Sequence, residues 1–138
     1  MVERYDPWEH AAALKVRILF RSLPDGVWGA WHLPSRTVLL RRGLTQSERR
    51  ATLAHELVHV ERGDSCRQDQ RAEAEVHAVA ARRLIPLELL CDAACWSGEL
   101  DTLAEECWVD AETMRVRLAT LTDEEREHLN RRHALRTA

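Results

Sequence analysis

The 138-residue sequence predicts an α+β fold in which three short strands precede one long helix and the rest of the chain is helical. Three observations lead there. Short runs rich in β-branched, leucine and aromatic residues, bounded by Pro, Gly and Asp, fall only within residues 16–41. From Thr45 onward, apolar residues recur at helical spacing between recognisable start and stop signals. Hydrophobic residues at 45% and charged residues at 31% suit a globular core, and no apolar run approaches the ~20 residues that span a bilayer.

Asp6-Pro7 opens a first helix, Trp8 to Leu14, with Asp as cap and Pro at the first helical position. Val16 to Arg21 reads as a strand, and Leu23-Pro24-Asp25-Gly26 as a turn. Val27 to Leu33 is a second strand carrying Trp28 and Trp31, for which core packing is the favoured role over lining a cleft. Pro34-Ser35 leads into a third strand, Arg36 to Arg41. Thr45 with Glu48 forms a capping box, and Gly63 suits a left-handed helix stop. The helix between them is the organising element. A second long helix runs from about Arg67 to Leu84, before Pro86. Beyond it, helices are expected at Leu87 to Trp96, Leu100 to Cys107, Ala111 to Leu121, and from Thr122 toward His133, with a frayed end. Asp110, and Thr122 with Glu125, read as caps. The expected division is 1–86 and 87–138, the second part helical and helix-turn-helix-like.

The net charge of −3 gives no general attraction to nucleic acid or to an anionic membrane. The amino terminus, MVERYDPWEH, lacks the basic-then-apolar order of a signal peptide, so a cytoplasmic location is expected. The four cysteines, Cys66, Cys91, Cys95 and Cys107, are then expected as free thiols. Cys91 and Cys95 stand four apart without a second pair at zinc-knuckle spacing, a weak metal signal. Lysine occurs once, at Lys15, a bias that reflects a GC-rich coding sequence.

The organising helix carries His55-Glu56-Leu57-Val58-His59, the HExxH pattern of zinc-dependent hydrolases. Residues four apart share a helix face, so His55 and His59 can offer imidazole nitrogens to one metal ion. Glu56, one residue round, can take a proton from water there without ligating the metal. A third ligand is expected from the second helix, where Glu73 and Glu75 compete. Val76, Val79, Ala80 and Leu84 mark its apolar face, and Glu73 falls on that face whereas Glu75 points away. A carboxylate on a buried face needs a partner, and a metal is one, so Glu73 is the choice and Glu75 the alternative. His77, a turn beyond Glu73, can orient a ligand histidine, act as a fourth ligand or donate to an oxyanion; His32 and Tyr5 are the other oxyanion candidates. Asp64 is the remaining ligand candidate, at a spacing that does not fit an extended HExxH motif.

These residues resemble the ImmA/IrrE family of metallopeptidases. The resemblance is carried by TLAHELVHVERGD (Thr52 to Asp64), EAEVHAVAARRLIP (Glu73 to Pro86) and LAEECWVDAETMRVRL (Leu103 to Leu118), and it covers about Gly29 to Leu121. It implies a minimal zincin-like fold, one zinc per chain on His55, His59 and Glu73, and Glu56 as base. It further implies a site-specific protease acting on a helix-turn-helix repressor, in a phage or other mobile element or in a stress response. Val76, His77 and Val79 stand where the family usually has Ala, Asn or Asp, and Phe.

If Ala111 to Thr120 were a groove-facing helix, its Arg115 and Arg117 would be offset by Asp110 and Glu112 and by the acids of the preceding helix. A protein partner is therefore expected in preference to DNA. The competing reading is a non-catalytic regulator whose carboxyl-terminal helices bind DNA or a repressor beside a structural or inactive zinc site. Glu56 argues against it, because a structural site has no use for a base. A zinc hydrolase acting on something other than peptide is a third reading.

Overall fold

The computed structural model describes residues 3–63 and 69–137. Along them run α1 (Pro7–Ala13), β1 (Arg17–Arg21), β2 (Gly29–His32), β3 (Thr37–Arg41), α2 (Gln46–Arg62), α3 (Gln70–Leu84), α4 (Leu87–Ala94), α5 (Leu100–Glu106), α6 (Ala111–Ala119) and α7 (Asp123–Thr137). The class is α+β, with a small mixed sheet followed by helices. Asp64, Ser65, Cys66, Arg67 and Gln68 lie outside the described residues, and with them the Asp64 ligand reading and the expected start of the second long helix.

The sheet has the order β1-β3-β2, with β3 parallel to β1 and antiparallel to β2. Val38 and Leu40 explain the central place of β3: both are fully buried, while β1 and β2 keep exposed residues and form the edges. A smaller core gathers Ala11, Val16, Val38, Leu40, Leu53 and Leu57 between the sheet, α1 and α2. A larger one joins Ala54 and Val58 to Val76, Ala80, Leu84, Leu90, Leu103 and Met114. The helix α2 serves both, with Leu53 and Leu57 turned one way and Ala54 and Val58 the other. Each buried Leu or Val contributes about 1.5–3 kcal/mol, so a helix packed on two faces is a rigid support.

Its ends follow the sequence. Thr45 Oγ1 accepts the Glu48 amide at 3.2 Å while the Glu48 carboxylate accepts the Thr45 amide at 2.8 Å, and Gly63 stops the helix at φ 70°. Asp69 caps α3 through the Arg71 and Ala72 amides, a start not read from the sequence.

Three local expectations change. Asp110 precedes α6 without capping its backbone, because its carboxylate takes the Thr113 hydroxyl instead. Val79 is exposed, since Val76, Ala80, Ala81 and Leu84 already fill the buried side of α3. The helix α7 continues past His133 to Thr137, and Glu125, His128 and Arg132 tie its inner side to α3, α4 and α6.

Gly29 brings β2 against α2. A β-carbon there would stand 2.6 Å from Thr52 Cγ2 and 3.3 Å from Glu56 Cγ, so the strand approaches closely only as glycine. Gly29→Ala is expected to destabilise by about 1–3 kcal/mol, read as a lowered denaturant midpoint at unchanged m-value. An unchanged midpoint would show that β2 can move off the helix freely.

Candidate functional site

Helical spacing places His55 and His59 on one side of α2, and α3 crosses that side with Glu73. His55 Nε2 lies 3.2 Å from Glu73 Oε1, and His59 Nε2 lies 2.9 Å from Glu73 Oε2. Donor atoms of the three residues all fall within 4.8 Å of one another. The His59–Glu73 contact is not aligned as a hydrogen bond, and the buried Glu73 Oε2 has no hydrogen-bond partner among the described residues. Burying such an oxygen is costly unless something else satisfies it. Two imidazole nitrogens and a carboxylate oxygen turned into one space are the donor set of a zinc site, so the residues fit that ion.

The electrostatics agree with this geometry. Burial, and then the neighbouring His77, lower the His55 pKa to about 4 against the opposing pull of Glu73. At neutral pH the ring is therefore uncharged, the form that ligates a metal. Glu56 is buried at 4% exposure and lines the same cleft. His77 sits with its ring 4.3 Å from that of His55, exposed at the cleft and outside the three-residue donor group. Glu75 is turned outward, where it pairs with Arg62 at 3.2 Å. Of the three oxyanion candidates, His77 lines the cleft. His32 contacts Ser35, and Tyr5 contacts His10.

The cleft has a volume of about 500 Å³. Its walls come from the segment before and into β2 (Gly26 to Gly29), from α2, from α3, and from α6 through Glu112, Thr113 and Val116. The two tryptophans of the second strand divide their roles. Trp31 packs against the smaller core, while Trp28 is 40% exposed on the cleft wall, departing from the core role favoured for it. Arg41 was missed by sequence reasoning: its guanidinium donates to the carbonyls of Val27 (2.9 Å), Leu23 (3.0 Å) and Pro24, fixing the loop that forms this lip. Nothing in the local sequence separates it from Arg42. The contribution of α6 was missed as well, because a cleft wall supplied by a helix that follows α3, α4 and α5 in the chain has no local signature.

A Mycobacterium tuberculosis transcriptional regulator has a solved structure similar to this one, with a TM-score of 0.65 at 20% identity over 86% of this chain and 42% of that one. The likeness is one of fold, and this chain spans about two fifths of that protein's length. No curated protein matches the chain. Among the described residues, no helix is long and apolar enough to cross a membrane. The model of one peptidase family, described as the IrrE N-terminal-like domain, matches residues 11–119, which takes in the sheet, the HExxH helix, the Glu73 helix and α6. The chain is a metallopeptidase-like domain and belongs to that family.

Proposed function

We propose that the protein is a zinc-dependent endopeptidase that cleaves a specific protein regulator, such as a helix-turn-helix repressor. The observation that carries this reading is a buried glutamate, Glu56, beside a three-residue donor group at the base of a cleft open to solvent. His55, His59 and Glu73 would hold the zinc, which when bound supplies Lewis-acid polarisation of a peptide carbonyl and of water. Glu56 takes the proton from the attacking water and delivers it to the leaving nitrogen. An extended substrate segment adds along the β2 edge, and Trp28 offers its ring to a side chain. His77 is placed at the cleft to donate to the developing oxyanion.

In this reading residues 1–86 hold the chemistry, and 87–138 close the cleft through α6. That placement weighs against α6 as a DNA-reading helix. Met114 and Arg117 are buried, and Glu112, Thr113 and Val116 face the cleft. The exposed residues of the helix are Glu112, Arg115 and Ala119, with the arginine paired to Glu112 at 2.9 Å. Such a surface does not attract phosphate.

Metal content by mass spectrometry tests the ligand set. Glu73→Ala is expected to carry one zinc fewer per chain than wild type, while Glu56→Ala and Glu75→Ala keep it. Equal zinc in all four proteins would refute the assignment.

A further inference from the structure

The helix α7 reaches the body with little apolar support. Leu129 packs against the larger core, whereas Leu135 is exposed. Its polar attachments among the described residues include Glu125 to Arg82 and Arg117, His128 to Glu88, and Arg132 to Glu88 and Asp92. Beside the last of these lies Cys91, at 1% exposure, with the Glu88 carboxylate and the His128 ring as neighbours. A buried cysteine with only apolar neighbours is a packing group. This one has donor groups around it.

Glu88 and Cys91 stand three apart on α4, and His128 approaches from α7, with donor atoms of all three within 4.8 Å of one another. The two oxygens of Glu88 are divided between partners. Oε2 accepts from Arg132 at 2.6 Å, which fixes the carboxylate, and Oε1 faces His128 Nε2 at 2.9 Å. Arg132 also reaches Asp92 at 3.0 Å. A dication together with Arg132 would balance Glu88, Asp92 and a Cys91 thiolate. Cys95, one helical turn from Cys91, shares that side of α4.

We propose that Glu88, Cys91 and His128 form a second metal site, for a zinc-class dication, that clamps α7 onto α4. Thiolate, imidazole and carboxylate together suit zinc and exclude magnesium or calcium, which take oxygen ligands. Binding exchanges the thiol proton for a sulfur–metal bond and releases that proton to solvent. The zinc count then rises from the one per chain expected of HExxH to two.

Cobalt(II) separates the two sites, because the His55–His59–Glu73 group contains no sulfur. Reduced, metal-free full-length protein titrated with Co²⁺ is expected to develop a near-ultraviolet thiolate-to-cobalt charge-transfer band that saturates by two equivalents in wild type and at one equivalent in Glu73→Ala, where only the second site is left. The band should vanish in Cys91→Ser and in His128→Ala, and persist in Glu73→Ala and in Cys107→Ser, whose thiol lies in the larger core. Survival of the band in Cys91→Ser or His128→Ala overturns the proposed ligands. Visible cobalt bands without a thiolate band refute the second site and leave the HExxH reading intact. No cobalt absorption of either kind refutes both.

Discussion

Glu56→Gln is expected to lower peptide hydrolysis by about 10²–10⁴-fold while leaving fold and zinc content unchanged. The glutamine keeps the shape of a side chain that is buried beside the donor group, so packing against Gly29 is preserved. It removes only the capacity to accept and return a proton. Glu56 is not one of the three converging donors, and zinc should therefore stay bound. The comparison is made on an unfolded protein substrate and a mixed peptide library, with cleavage read by mass spectrometry beside metal content. Equal hydrolysis by wild type and variant would remove Glu56 from the mechanism. Hydrolysis by neither, with zinc present in both, would favour the regulator reading.

Arg117→Met is expected to destabilise the fold by about 3 kcal/mol, lowering the melting temperature by roughly 10 °C. Arg117 is 1% exposed; its Nε donates to the Ile85 carbonyl at 2.7 Å and its Nη2 to Glu125 at 3.0 Å. One side chain thus joins α6 to the end of α3 and to α7. Methionine fills similar space but leaves the Ile85 carbonyl and the Glu125 carboxylate, only 14% exposed, short of a donor. Arg117→Lys should fall between, since it keeps the charge and loses the planar fork.

The pH profile gives an independent reading. Hydrogen bonding from Arg117, with help from the Thr122 amide and Arg82, holds the Glu125 pKa at about 2 against an ordinary value of 4.5. A depressed carboxylate stabilises fully above its unfolded pKa, and that stabilisation fades as pH falls from 4.5 toward 2. Wild type should lose stability across that window. Arg117→Met should lose less there, having less to lose, and parallel acid profiles would show that the pair contributes little.

Features set by backbone chemistry or short-range spacing are legible in the sequence. The Thr45 capping box and the Gly63 stop work through neighbouring residues and their own dihedral angles, so both were visible before any fold was known. The face of α3 that holds Glu73 was visible because Val76, Ala80 and Leu84 repeat at helical spacing, although Val79, counted with them, faces solvent. Nothing in the local sequence separates the buried Arg117 from the exposed Arg115. The burial of Arg117 depends on Ile85 and Glu125, one of them 32 residues away.

By itself the sequence determined that three strands come before the HExxH helix, where that helix begins and ends, and that its two histidines share a face, because each of these is set within a few residues. Tertiary structure alone decided that Glu73 meets both histidines, that β2 lies close enough to α2 to require Gly29, that α6 walls the cleft, and that His128 of α7 comes to Glu88 and Cys91 of α4. The physical reason is range. Caps and periodicity act through neighbouring backbone groups, whereas a donor set, a cleft wall or a buried arginine exists only once apolar burial has brought distant segments together and fixed the angle at which they cross.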